Sequence, residues 1–403
     1  MKKTRMLVSD TAPLYPPLWG GPKRIWNLYG NFARCAFDIV YVGIKTDKQG
    51  DLAYQYKRIT ENIEEFDCSF PSHYRLWHAC EWALFRNTSL NLFLYLAAGS
   101  VAQFRDLLRS QDADVIICSH PWSFPAVQMR AARVYVYDAH NCEYLLMRQI
   151  LRGHPLSFIV CAWVKKIEEE ACRKSDLIVV CSEKEKKDFL DIYGLDPARI
   201  MIVPNGSSVR PVTSENGRIE ARAMFAIPAD SRVVLFIGAY YKPNNDAARL
   251  IVDRIAPAMP EITFVIAGTV KDHFKGAAIP GNVKFLGRLD EEHLAAALRG
   301  ADIAINPMME GSGINIKMLD YMAYGLPCVT TPCGSRGIDT GGFSPYFVTG
   351  VSGFAEAIRR ILSEPALLRA MSRDARSLVA GKYEWTAISK ELESKIRQLL
   401  GKS

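Results

Sequence analysis

The sequence predicts an α/β protein of two doubly wound domains, and three observations carry that expectation. Short apolar strands alternate with amphipathic helical stretches along most of the chain, the pattern of a parallel sheet covered by helices on both faces. The alternation runs twice, interrupted by a polar segment from Val203 to Val212 that reads as a hinge. At 403 residues the chain exceeds one ordinary core, so the boundary falls there: 1–206, then 207–385, with a last helix over 386–403.

Composition narrows the class. Hydrophobic content of 49% and charged content of 23% are those of a globular chain. The net charge of +7 is spread along both halves; it suits anionic ligands or an anionic membrane surface and lacks the concentrated basic face of a nucleic-acid binder. Met1-Lys2-Lys3-Thr4-Arg5 leads directly into a strand-length apolar run, and no apolar stretch is long enough to span a bilayer, so a cytoplasmic chain without a secretory leader is expected. Ten cysteines without a C-x-x-C pair read as buried free thiols in a reducing compartment.

Arg5 to Ser9 is the first strand. The loop after it is rich in Pro, Gly and Trp, and Gly20-Gly21-Pro22-Lys23-Arg24 precedes a predicted helix from Ile25 to Arg34. Glycines at a strand-to-helix crossing either turn the chain or let a ligand approach the backbone, and Lys23 and Arg24 add positive charge. Asp38 to Val42 is the second strand. The stretch to about Ala113 is the least regular. Between His73 and Gly99, aromatics such as Trp77 and Trp82 interleave with Arg75 and Arg86, which fits either a bilayer interface or core-packing helices. Two further strands end in histidines: Asp114 to Pro121 carries His120, and Val134 to Asn141 carries His140, with Glu143 just beyond. Open parallel sheets bind ligands beyond the carboxyl ends of their strands, which makes both histidines candidates. A helix from Val164 to Lys174, a strand from Asp176 to Cys181, Ser182 as N-cap with Glu185 at the capping-box position, and a strand from Arg199 to Val203 complete the first half.

In the second half, strands are expected at Arg232–Ile237, Ile262–Ala267, Val283–Leu286, Asp302–Ile305 and Pro327–Thr330. Between the last two lie a glycine-containing turn and a helix of about three turns closed by Gly325. Gly313, Lys317, Asp320 and Tyr324 recur at helical spacing and share a face, while Met318, Leu319 and Met322 form the apolar one. A helix start presents unpaired N–H groups and the positive end of the dipole. Lys317 would serve a phosphate there and Asp320 sugar hydroxyls; an ordinary surface Lys–Asp pair has the same spacing.

On these residues the chain resembles the GT-B glycosyltransferases, most closely the large retaining group called family 4. The resemblance rests on Ser175-Asp176-Leu177-Ile178-Val179-Val180-Cys181-Ser182, Ile202-Val203-Pro204-Asn205-Gly206, Phe285-Leu286-Gly287, and the Asp302–Gly325 block with Asp320-Tyr321-Met322-Ala323-Tyr324-Gly325. It implies two Rossmann-like domains facing across a cleft, with the acceptor in the first and a nucleotide sugar in the second. It also implies that the final helix packs back on the first domain. By the same resemblance Gly20 and Gly21 lie near the donor diphosphate, His120 contacts the transferred sugar, the amides of Ser312, Gly313 and Ile314 cradle the diphosphate, and Asp320 holds the ribose. Arg24 and His140 fall on the acceptor side. The chain departs from the family twice. Ser312 stands where a glutamate is usual, leaving Glu310 as the nearest carboxylate for the sugar. Gly238 to Asp246 resembles a subgroup with G-x4-P-x-N in place of the usual Arg/Lys clamp. Gly238 and Asn245 then join the donor site, and Lys242, Lys317 or Arg288 supplies the charge.

The resemblance implies transfer of a sugar from an NDP-sugar, with uridine the favoured base, to a hydroxyl acceptor with retention, in polysaccharide or glycolipid synthesis. The nucleotide sugar is a co-substrate, and neither a cofactor nor a metal is expected. A glycan or lipid-linked acceptor, peripheral contact with the inner face of a membrane and no nucleic acid complete the expectation. Two alternatives stand beside it: a UDP-sugar 2-epimerase-type enzyme on the same fold, which needs no acceptor, and a non-catalytic nucleotide-sugar-binding subunit, which the missing glutamate at 312 would suit.

Overall fold

The computed structural model of the chain describes residues 3–17, 20–45, 55–69, 80, 84–85, 101–127, 132–311 and 314–401. Contacts divide the chain into two compact units, Met1–Asn205 with Trp385–Ser403, and Gly206–Glu384. Most of the aromatic and basic stretch from His73 to Gly99 lies outside the described residues, as do Ser312 and Gly313. Among the described residues no helix is long and apolar enough to cross a membrane.

The first unit holds an eight-stranded sheet in the order β3-β4-β2-β1-β5-β6-β7-β8. Its strands are β1 (Thr4–Ser9), β2 (Phe37–Lys45), β3 (Gln55–Thr60), β4 (Ile63–Ser69), β5 (Val115–Cys118), β6 (Val134–Asp138), β7 (Leu177–Val180) and β8 (Ile200–Ile202). All pair in parallel except β3, which runs antiparallel to β4. The β3–β4 hairpin falls in the stretch read as irregular. Two carboxylates interrupt its apolar period: Glu65 and Asp67 are buried on the same face of β4 as Ile63. Glu65 Oε1 accepts from the N–H groups of Leu14 (2.5 Å) and Tyr15 (3.2 Å), so the strand holds down the loop that follows β1.

Helices cover both faces: α1 (Gly20–Tyr29), α2 (Ala102–Ser110), α3 (Glu143–Ile150), α4 (Ser157–Lys174) and α5 (Glu183–Tyr193). Helix α1 starts at Gly20 instead of the expected Ile25, because Pro22 in a first turn lacks only an N–H that has no helical partner there. Helix α4 likewise begins at Ser157, well before the expected Val164. Ser182 caps α5 by accepting from Glu185 N–H (3.2 Å), while the Glu185 carboxylate reaches back to Cys181 N–H (2.8 Å), a stop worth about 1 kcal/mol. The chain's last helix, Trp385–Leu400, belongs to this unit: Ile388, Leu392, Ile396 and Leu400 bury one stripe against Met6, Val8 and Leu28. Ser389 Oγ donates to Leu28 O (2.6 Å) and Ala33 N–H to Glu393 Oε2 (2.9 Å), fixing its register.

The second unit holds six parallel strands in the order β11-β10-β9-β12-β13-β14. These are β9 (Val233–Ile237), β10 (Thr263–Ala267), β11 (Val283–Gly287), β12 (Ile303–Asn306), β13 (Cys328–Thr330) and the unanticipated edge strand β14 (Tyr346–Val348). The helices that bear on the site are α6 (Lys242–Leu250), which follows β9, and α7 (Ile316–Ala323), which follows β12. Helix α7 is shorter than the three turns expected. Its C-terminus is closed by Gly325 at φ 72° and by the Arg376 guanidinium on Tyr324 O (2.7 Å).

In both sheets the first strand of the unit lies between strands added on opposite sides. The turns after β1 and β5, and after β9 and β12, therefore leave in opposite directions. The crevice between such turns is where open α/β sheets take ligands.

Candidate active site

In the first unit the reversal places Asp10, just past β1, against His120, just past β5. His120 Nδ1 is 2.9 Å from Asp10 Oδ1, which also accepts from Thr11 N–H (2.6 Å). His120 Nε2 is 3.9 Å from Glu143 Oε1 at the start of α3. The His140 ring meets the His120 ring edge-on at 4.5 Å, and a Cβ on Gly21 would lie 3.6 Å from His140 Nδ1, so the first turn of α1 adjoins the cluster. That turn contains no acidic residue.

The charges sort themselves by partner. Burial disfavours the His120 imidazolium, but the charge and hydrogen bond of Asp10 outweigh it and raise the pKa to about 9. Burial would raise Asp10 as well; the His120 cation brings it below the usual carboxylate value. For His140, burial and then the neighbouring His120 charge lower the pKa, so the pair divides into one cationic and one neutral ring. His140 Nε2 is buried without a hydrogen-bond partner; Asp138 Oδ2 at 3.8 Å is too distant to be one. Burial pushes the Glu143 carboxyl up to about 7 despite His120. Beneath it, fully buried Glu168 accepts from Tyr137 and Tyr193 hydroxyls and from the N–H groups of Glu143 and Tyr144, locking the start of α3.

In the second unit the corresponding crevice has the opposite character. Gly238 follows β9, and its carbonyl oxygen lies 2.2 Å from where a Cβ on Gly268 (φ 105°) would sit, so the two strand-end turns cross without room for a side chain. Lys317, in the first turn of α7, is half-buried. Its Nζ donates to Asn244 Oδ1 (2.6 Å), lies 3.7 Å from Met308 Sδ and stands 4.5 Å over the Phe236 ring. Among the described residues no carboxylate pairs with it, and desolvation pulls its pKa down to about 7. Asn245 Oδ1, in the first turn of α6, is buried with no partner. Tyr321 anchors the lysine-bearing helix by accepting from Ile237 N–H at the end of β9 (2.8 Å).

The sequence-predicted residues fall as follows. His120 and His140 are brought together with Gly21, and Gly20 opens the same helix turn. Arg24, expected on the acceptor side, is instead a core residue. Its guanidinium is held by Asp138 (2.9 Å), Asn205 Oδ1 (3.1 Å) and Val203 O (3.0 Å), and at about 1% exposure it is closed off from a ligand. Gly238, Asn245 and Lys317 gather at the β9–β12 crevice. Lys242 is exposed and paired with Asp246 (2.7 Å) and with the exposed Glu310 (3.6 Å). Asp320 Oδ1 accepts from Ser207 Oγ (2.8 Å), and Ile314 is buried just before α7. Ser312 and Gly313 lie outside the described residues. Sequence reasoning passed over Asp10 and Asn244. An acidic residue directly after the first strand, at the same level as the histidine after β5, was the available signal for Asp10; nothing in the sequence distinguished Asn244 from Asn245.

Residues 231–364 match the family model described as glycosyl transferases group 1, and residues 74–209 match that described as glycosyltransferase family 4. Glycogen synthase of Mycobacterium tuberculosis is 26% identical over 244 residues, an alignment that takes in 56% of this chain and 55% of the relative. The chain thus spans about half the length of the curated relatives it matches. Among solved structures, sucrose-phosphate synthase from Thermosynechococcus elongatus superposes with a TM-score of 0.76 at 16% identity over 100% of both chains. HepE of Anabaena, solved in complex with UDP and glucose, superposes with a TM-score of 0.69 at 13% identity over 98% of this chain and 99% of its own. The fold is GT-B.

Proposed function

We propose that this chain, which belongs to the group 1 glycosyltransferases of GT-B fold, moves a sugar from a nucleoside diphosphate to a hydroxyl acceptor with retention and without a metal. The observation that carries the reading is Lys317, a cation held in a strand-end crevice by an amide oxygen, a thioether and an aromatic ring. A cation with only neutral partners gains most from an anion, and a diphosphate fits the adjoining helix starts. Lys317 then supplies the charge that the G-x4-P-x-N segment does not, beside Gly238 and Asn245; by the resemblance, Ser312, Gly313 and Ile314 are assigned to the diphosphate as well. Asp320 takes the ribose hydroxyls, exchanging Ser207 for them. Lys242 and Glu310, exposed and paired with each other, are assigned to the outer phosphate and the sugar.

As the bond from the anomeric carbon to the diphosphate oxygen breaks, charge collects on the leaving phosphate, where Lys317 and the helix amides stabilise it. The phosphate takes the acceptor proton, and the His120 imidazolium, oriented by Asp10, contacts the transferred sugar. Gly20 and Gly21 let the diphosphate approach the backbone of α1, and neutral His140 faces the acceptor, a sugar hydroxyl on a glycan or lipid carrier. UDP is the favoured leaving group.

Thermal melting in the presence of UDP, GDP and ADP tests the donor, because a ligand that binds only the folded state raises the midpoint by mass action. UDP is expected to give the largest rise. His120→Ala should keep that rise and lose most transfer. Absence of a shift with any of the three, or full transfer by the variant, refutes the reading.

A further inference from the structure

The hairpin formed by α3 and α4 ends in an apolar tip that the proposed reaction does not use. Phe158 and Ile159, in the first turn of α4, are 72% and 54% exposed. Leu84, 50% exposed, is tied to the same turn through its carbonyl, which accepts from His154 Nε2 (2.9 Å). Basic residues follow the two helices back from the tip. The cations of Arg148 and Lys165 lie over the Tyr144 ring at 5.7 and 5.5 Å, and Arg152 and Lys166 are exposed. Among the described residues none of these four has a carboxylate partner. Further along α4 the pattern changes: Arg173 pairs with Glu169 and Lys174 with Glu170. The apolar residues thus occupy the hairpin end, with Arg152 next to it in the chain and the other three of these cations, Arg148, Lys165 and Lys166, along the two helices behind it.

We propose that this tip enters the headgroup layer of an anionic membrane, Phe158 and Ile159 reaching the acyl boundary while the cations behind them meet lipid phosphates. Exposed apolar residues flanked by long basic side chains suit a fluid anionic interface, where the stems stay in apolar surroundings and the charges remain at the phosphates. A protein partner would have to offer an acidic cup of matching shape. The surface is centred on the first turn of α4 and shares only Leu84 with the His73–Gly99 stretch on which the sequence put membrane contact. It also lies close to the candidate site: α3 begins at Glu143 beside His120 and has 8 residues, so the tip is about 12 Å away along its axis.

The test is co-sedimentation of the full chain with phosphatidylcholine vesicles, with and without phosphatidylglycerol, which reads binding without any transfer reaction. The wild type should pellet with the anionic vesicles, hardly with the neutral ones, and less as salt is raised. Arg152→Glu and Lys166→Glu should each lower the partition coefficient about fivefold or more, since each basic residue near an anionic surface contributes about that factor. Phe158→Glu with Ile159→Glu should abolish binding. If that double variant melts early, the two exposed charge reversals carry the test alone. Failure of the wild type to bind anionic vesicles overturns the proposal. So does undiminished binding by the variants, or an oligomer of the wild type that the double variant dissolves while vesicle binding persists, since the tip would then serve a second copy.

Discussion

The crevice beyond β1 and β5 and the crevice beyond β9 and β12 occupy the same place in two sheets of the same winding, yet they are wired oppositely. In the first unit the buried charges nearest the crevice are paired inside the unit: His120 with Asp10, Arg24 with Asp138, Glu168 with two tyrosines and two amides. In the second, Lys317 rests on neutral groups and Asn245 Oδ1 on none. An internally paired cluster is oriented before any ligand arrives, whereas an unpaired cation gains its partner only with the ligand. The contrast separates a region built to hold a reacting group still from one built to bind an anion.

Three substitutions break or sharpen that contrast. The largest effect belongs to Arg24→Met, which leaves the buried Asp138 carboxylate with the Tyr29 hydroxyl but no cation, and Asn205 Oδ1 without its donor. It should cost about 3–5 kcal/mol in urea unfolding. Lys317→Met is expected to do the reverse: unfolding free energy should hold or rise, while transfer falls about 10²–10³-fold through loss of one preorganised donor. Equal destabilisation by the two would erase the distinction between the regions. The pH dependence follows from Lys317. Its pKa of about 7 lies below the unfolded value of 10.5, so between them the unfolded chain binds more protons and this group's contribution to stability rises with pH. A bound diphosphate restores the charge. UDP binding near pH 8 should therefore take up close to one proton, and weaken as pH climbs from 7, in calorimetry across buffers of different ionisation enthalpy; Lys317→Met should show no uptake.

Asp10→Asn gives the smallest of the three effects. His120 has its pKa raised from 6.5 to about 9, so its contribution is complete below 6.5 and disappears as pH rises through 9. The variant should lose about 1–3 kcal/mol near pH 6 and little above pH 9, with the alkaline limb of transfer moved to lower pH. A pH-independent loss would mean that Asp10 serves the loop and not the histidine.

Strands whose inward positions are apolar were legible from the sequence: β1, β7, β9, β10 and β12 lie within a residue of where their apolar runs put them, while β5 and β6 start as expected and end three residues early, leaving His120 and His140 just past them. The β3–β4 pair was not, because Glu65 and Asp67 interrupt its buried face and the N–H groups that Glu65 accepts from come from a loop some fifty residues earlier, at Leu14 and Tyr15. The start of α1 was misjudged because Gly-Gly-Pro reads as a turn, although a proline in a first turn sacrifices no hydrogen bond. At the candidate site the sequence marked His120, Lys317 and Asp320 by position. It misassigned Arg24, whose partners Asp138, Val203 and Asn205 lie more than a hundred residues away.

The sequence by itself determined that this chain alternates strand and helix twice, and that histidines, glycines and a lysine stand at the ends of its strands, because apolar periodicity and turn chemistry are local properties. Only the tertiary structure decided which charges are already satisfied. That depends on strand order, which brings Asp10 to His120, Asp138 to Arg24 and Asn244 to Lys317. A residue type fixes what a side chain can donate or accept; the distant neighbours that the sheets assemble fix whether anything remains for a ligand.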